Sequence, residues 1–159
     1  MAIEQETGTG SATANSYVTV ADYDAYLDAR YPSRTAITTA QAEAYIFRAM
    51  DYFENLNFQG RKNSEAQALQ WPRAGVCIDG FGVDSNEIPS LVLTAVYELA
   101  YGFEQGYCIN DPVGRETASE AVGALNVTYK NSSAERTLLP AATQALRKLL
   151  INGNRVVRV

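Results

Sequence analysis

The chain contains no histidine, which removes the commonest general base and the commonest metal ligand. Without it neither a Ser/His/Asp nor a Cys/His device can be assembled. Cysteine is scarce as well. Cys77 and Cys108 stand alone, with no CxxC and no zinc-ligand spacing. The opening Met1-Ala2-Ile3-Glu4-Gln5-Glu6 has neither a basic n-region nor an apolar core, so no secretory leader is expected. Both cysteines are then read as thiols in a reducing cytosol. No apolar run approaches the roughly 18 residues that span a bilayer, so no membrane partner is expected. There is no Walker loop, and Gly75, Gly80 and Gly82 lack the preceding strand that a dinucleotide site requires. No catalytic, cofactor-binding or metal-ligating residue is assigned, and the chain is expected not to be an enzyme.

Cations are thin over most of the length. Residues 1–134 hold 8 Lys/Arg against 17 Asp/Glu, a net −9, whereas residues 135–159 hold 5 against 1, a net +4. An acidic body argues against tight phosphate binding, whose affinity comes from clustered cations. The nearest approach to a nucleic-acid patch is Phe58, Arg61, Lys62, Trp71 and Arg73. Against it stands the reading of Trp71, the only tryptophan, as a core anchor for the Pro72 turn. Asp22, Asp24 and Asp28 share one helix, with Asp24 and Asp28 on one face, where a hard cation is conceivable but a solvated face is the preferred reading. Asp79, Asp84 and Glu87 lack EF-hand spacing.

What is present is a globular balance of 47% apolar and 19% charged residues over 159 positions, with ten tyrosines. That length suits one domain, and a domain of about 150 residues needs no disulfide or metal to hold it. Residues 1–16, small and polar, are expected as a flexible or extended arm, with residues 17–159 as a single domain. Thr19 caps a first helix with Asp22 at its third position, ending before Pro32. Thr38-Thr39-Ala40-Gln41 is a capping box for a second helix, whose stripe is Ala42, Tyr45, Ile46, Ala49, Met50 and Phe53. Ser64-Glu65-Ala66-Gln67 looks like another box opening a short helix. A long loop over 73–87 precedes the most apolar helix, from Ile88-Pro89 to about Gln105, closed by Gly106. Alternation from Val122 to Lys130 predicts a strand, Pro140–Leu150 a last helix, and Arg155–Val159 a terminal strand. The fold class expected is mainly α: a helical bundle with a small C-terminal β element, at about 122–130 and 155–159.

Three segments carry a resemblance. Asn15-Ser16-Tyr17-Val18-Thr19-Val20-Ala21 with Tyr26-Leu27 comes first. Phe58-Gln59-Gly60-Arg61-Lys62 with Gln67-Ala68-Leu69-Gln70-Trp71-Pro72-Arg73 follows, then Ile88-Pro89 opening a long Ala-rich helix. In that order, over about residues 15–105, they resemble the head–tail connector (adaptor) family of tailed phages, which overlaps a DnaT-like single-stranded-DNA-binding family. The resemblance implies a helical subunit of a homo-oligomeric ring, commonly of twelve copies, in the virion neck. Its implied partners are further copies of itself, the portal protein, and a downstream neck or tail-terminator protein. Packaged double-stranded DNA would pass through the lumen without specific binding, and assembly would take place in the host cytoplasm. The alternative implication is single-stranded-DNA binding. Candidate structural or interface residues are Tyr17, Tyr26, Leu69, Trp71, Pro72, Arg73, Arg155, Val157 and Val159, and no cofactor is implied.

Overall fold

A computed structural model describes residues 2–106, 119–122, 125–128 and 140–151. Its frame is four helices: α1 (Val20–Arg30), α2 (Thr39–Glu54), α3 (Ser90–Glu104) and α4 (Pro140–Leu149). α3 is central. It packs along α2 on one side and α4 on another, while α1 lies more lightly across both. Its buried residues Val92, Ala95, Val96, Leu99 and Ala100 meet the α2 stripe of Ala42, Ile46, Ala49, Met50 and Phe53. From α4 come Ala142, Ala145, Leu146 and Leu149. This is the mainly helical class expected from the three- and four-residue spacing of apolar positions.

The helix starts follow local chemistry. The Thr19 hydroxyl accepts the Asp22 N–H at 3.1 Å. At Thr38 both halves of the capping box form, with Gln41 N–H donating to Thr38 Oγ1 and Thr38 N–H donating to Gln41 Oε1. Each cap satisfies a donor the helix itself leaves free. Gly106, at φ +81°, lies just beyond the end of α3.

The β structure differs from the expected C-terminal element, because most of it is mid-chain. Strands β1 (Arg61–Lys62) and β2 (Arg73–Ala74) pair antiparallel, as do β3 (Cys77–Ile78) and β4 (Phe81–Gly82). The 73–87 loop therefore contains a tight hairpin. Its two-residue turn, Asp79-Gly80, has positive φ at both positions (52° and 91°), the backbone that Asp-Gly adopts readily. Near the C-terminus, the single strand expected over 122–130 is instead half of a hairpin, with β5 (Ser119–Val122) antiparallel to β6 (Leu125–Thr128). Gly123, a poor residue for a continuous strand, falls between the two. The terminal strand expected at 155–159 lies outside the described residues.

One further expectation is revised. Residues 64–71 form no helix. Gln67 does point its Oε1 back to the Ser64 N–H (2.8 Å), as in a capping box, but its Nε2 donates forward to the carbonyls of Leu69 and Pro72. The same side chain thus closes a bend that Pro72 prevents from continuing. The N-terminal arm folds back on itself, with Gln5 bridging Ser16 in parallel and the Glu6 N–H donating to the Ser16 carbonyl. Glu6 fills the loop it creates, accepting backbone N–H bonds from Gly8, Gly10 and Ser11 at 2.6–3.0 Å.

Candidate interaction surface

The residues singled out in the middle of the chain converge on one clamp. Trp71 is fully buried, and Phe58 meets it edge-on with ring centroids 6.0 Å apart. Tyr17, also fully buried, donates its hydroxyl to Glu54 Oε1 (2.6 Å) and accepts the Trp71 N–H (2.9 Å). Glu54 Oε2 accepts the Gln70 N–H at 2.7 Å. Burial holds the Glu54 carboxyl above its ordinary range, although the Tyr17 and Gln70 bonds pull the other way. Burial together with the Glu54 charge pushes the Tyr17 phenol far up, so it remains a donor.

Arg73 ties the two sides of the clamp together. Its Nε donates to the Gln59 carbonyl (2.7 Å), Nη2 to Gly60 (2.9 Å), and Nη1 to the Gln70 carbonyl and side chain. The planar fork of guanidinium suits several carbonyls at once, which a lysine would not. Burial lowers the Arg73 pKa from its usual value. The Trp71–Pro72 peptide is cis, and Leu69 and Pro72 are buried beside it. Of the candidate residues, Tyr17, Leu69, Trp71, Pro72 and Arg73 thus lie inside this chain. Arg155, Val157 and Val159 lie outside the described residues.

Tyr26 belongs to a second cluster that the sequence reading missed. Its hydroxyl and that of Tyr31 both donate to Glu98, at 2.7 Å and 3.0 Å, and Tyr23 donates to Glu104 at 2.8 Å. Glu98 is a buried acid in the middle of a mainly apolar helix, made tenable by these donors. Rings stack alongside, Tyr26 on Tyr97 at 4.4 Å and Tyr31 on Tyr101 at 4.2 Å. Burial and the Glu98 bond push the Tyr31 phenol up to about 12. The available signal was three tyrosines around α1 matched by glutamates 98 and 104 in a helix with no other charge.

This cluster borders a cleft of about 600 Å³ where the end of α1, the start of α2 and the end of α3 meet. Tyr31, Ile37, Tyr45 and Tyr101 give it an apolar lining, and Arg30 and Arg34 give it cations. Arg34 is nearly buried and faces Asp24 (2.5 Å), Asp28 (3.4 Å) and Glu104 (3.8 Å). Burial opposes its charge, but those carboxylates raise its pKa nonetheless. Two of the aspartates considered for a hard cation, Asp24 and Asp28, therefore hold an arginine, while Asp22 accepts the Thr19 hydroxyl. Asp79 of the second acidic group pairs with Lys148 at 2.6 Å. Among the described residues no group of three or more His, Cys, Asp or Glu is placed to hold a metal, and no helix is long and apolar enough to cross a membrane.

The suspected nucleic-acid patch is not assembled as a surface. Phe58 and Trp71 are inside, Arg73 is spent on carbonyls, and Lys62 Nζ lies within hydrogen-bond reach of the Gln67 and Ala68 carbonyls. Arg61 is left exposed. Among the described residues the most exposed large apolar side chain is Phe81, 79% accessible, on the β3–β4 hairpin. Ile151, past the end of α4, is the other.

A family model described as "Putative DnaT-like ssDNA binding protein" matches residues 1–159. No curated protein and no solved structure matches the chain.

Proposed function

We propose that this chain, which belongs to that DnaT-like family, is a structural virion subunit, the head–tail adaptor of a tailed phage. In this reading identical copies form a ring, commonly of twelve, in the neck. The ring seats on the portal protein, receives the next neck or tail-terminator protein, and lets double-stranded DNA pass without gripping it. The protein works by shape, needs no cofactor and turns over no substrate.

One observation carries the reading. Among the described residues, the suspected nucleic-acid patch is largely consumed in holding the fold, with Arg73 and Lys62 on carbonyls and Phe58 and Trp71 in the core, and of its members Arg61 alone is exposed. What faces outward instead is relief: an aromatic cleft at one place and a projecting phenylalanine at another. Phosphate binding needs free clustered charge, whereas docking needs complementary contours with apolar anchors.

The test is to mix the purified chain with a portal ring and image the product by electron microscopy. A second ring stacked coaxially on the portal is the expected result. Portal rings that stay bare sink the proposal.

The family description favours a second reading, single-stranded-DNA binding. Fluorescence anisotropy with a labelled oligothymidine separates the two. The adaptor reading expects no binding at physiological salt. Tight binding that weakens steeply as salt rises, the mark of counterion release, would favour the second.

A further inference from the structure

We propose that α4 is a releasable latch, which leaves the face of α3 and returns as one unit, and that Gln59 is the catch holding it. The inference stands apart from the adaptor reading. At 10 residues α4 is shorter than the roughly 12–15 that an isolated helix needs to persist in water, so its helical state depends on what it packs against. Its grip is narrow. Among the described residues its buried side chains are Ala142, Ala145, Leu146 and Leu149, two of them alanines, whereas α2 buries Ile46, Met50 and Phe53 besides its own alanines. Of the other helices, α4 packs chiefly against α3. A short element with one neighbour is the kind that opens locally while the rest of a domain stays folded.

The end of α4 is fastened from outside the helix. A helix leaves its last carbonyls without partners of its own, and here Gln59 supplies them. Its N–H donates to the Leu149 carbonyl (3.0 Å), and its Nε2 to those of Lys148 (3.0 Å) and Leu150 (3.4 Å). The Ile151 N–H donates to the Asn57 carbonyl (3.0 Å), and Phe58 bridges Leu150 antiparallel. On its other side the same segment is fixed by Arg73, whose guanidinium holds the carbonyls of Phe58, Gln59 and Gly60 at 3.4, 2.7 and 2.9 Å. Residues 57–60 are thus a splint, with the Trp71 clamp behind and α4 in front. The other polar tie described for α4, Lys148 to Asp79, is a solvent-exposed ion pair of the kind that contributes little. Release of α4 bares the apolar side of α3 that it covers. The fold therefore keeps one apolar surface closed behind a single short helix.

Native-state hydrogen exchange tests this. In the unaltered chain the amides of Ala145, Leu146, Leu149 and Leu150 should share one opening equilibrium. Corrected for intrinsic rates, they should exchange at least roughly tenfold faster than those of Ile46, Ala49 and Met50 in α2. Gln59→Ala deletes two of the carbonyl caps and should speed the four α4 amides by a further factor of about five to ten, with the α2 rates unaltered. Gln59→Glu keeps the size of the side chain but replaces its donor with a charge facing carbonyls, and should speed α4 more than Gln59→Ala does. Unaltered α2 rates also report that each variant is folded. If α4 and α2 exchange together in the unaltered chain, α4 has no release of its own and the proposal fails. If Gln59→Ala changes α4 no more than α2, Gln59 is not the catch, and the proposal is equally overturned.

Discussion

Two regions of the molecule each take a glutamate out of water, and they hold it by different means. In the N-terminal loop, Glu6 is almost fully buried, yet backbone N–H groups of Gly8, Gly10 and Ser11 converge on it. Burial alone would raise its pKa, but those donors overcome that and lower it. In the clamp, Glu54 receives the Tyr17 hydroxyl and one backbone N–H, and there burial prevails and the pKa rises. A ring of oriented amide dipoles stabilises the anion itself. A phenol and one amide in an aromatic setting do so incompletely. The first arrangement makes a charge into the organiser of a loop, and the second makes it a strained guest beside Trp71.

The largest blow to this contrast is Trp71→Ala, which removes the apolar wall around the clamp. Truncating a buried Trp costs about 3–5 kcal/mol, a large part of the roughly 5–15 kcal/mol that holds a domain together. Urea unfolding followed by tyrosine fluorescence should show it, and a midpoint near that of the unaltered chain would mean the clamp is peripheral. Next comes Glu6→Gln, which strips the charge that the loop amides were arranged to meet. Hydrogen bonds to a charged group contribute about 1.5–3 kcal/mol, so a loss of that order is expected, with faster amide exchange at Gly8, Gly10 and Ser11. Unaltered exchange there would show that the loop holds without its anion.

Smaller still is Tyr17→Phe. It leaves the ring packed on Phe53, at 5.6 Å between centroids, and deletes the hydroxyl between Glu54 and the Trp71 N–H. The Trp71 N–H donor and the Glu54 Oε1 acceptor are left without that partner, which costs about 1–3 kcal/mol. Smallest is the opposed pH dependence of the two acids. An unperturbed glutamate titrates near about 4.3. The Glu6 pKa is lowered on folding, so its contribution is complete above that value and lost as pH falls through the lower folded one. The Glu54 pKa is raised, so its contribution is present below that value and lost as pH climbs through the higher folded one. Stability against pH should therefore flatten on the acid side in Glu6→Gln and at weakly acidic pH in Glu54→Gln. Identical profiles for the two variants would erase the distinction.

The helices were legible because each announces itself within a few residues. Thr19 with Asp22 and Thr38 with Gln41 start α1 and α2 by local hydrogen bonds, and the stripe from Ala42 to Phe53 repeats with the helical turn. The β3–β4 hairpin was also written locally, in Asp79-Gly80, but no alternating run flanks it to draw attention. At Ser64–Gln67 the local signal was real and its meaning was not. The back-bond forms, yet Gln67 also reaches Leu69 and Pro72 and makes a bend. The tyrosine–glutamate cluster was legible only as two separate groups, because Tyr26 and Glu98 are 72 residues apart and only the crossing of α1 over α3 joins them.

The sequence by itself determined where the main helices run, that one face of each is apolar, and that histidine chemistry is closed to this chain. These are consequences of composition and of interactions spanning three or four residues. Only the tertiary structure decided which polar groups are spent inside and which remain outside. Arg73 was equally suited to a phosphate or to a carbonyl cage, and Trp71 to a base or to a core. Their surroundings come from segments distant in the chain, and desolvation, which sets the worth of every charge and ring, exists only once those segments have met.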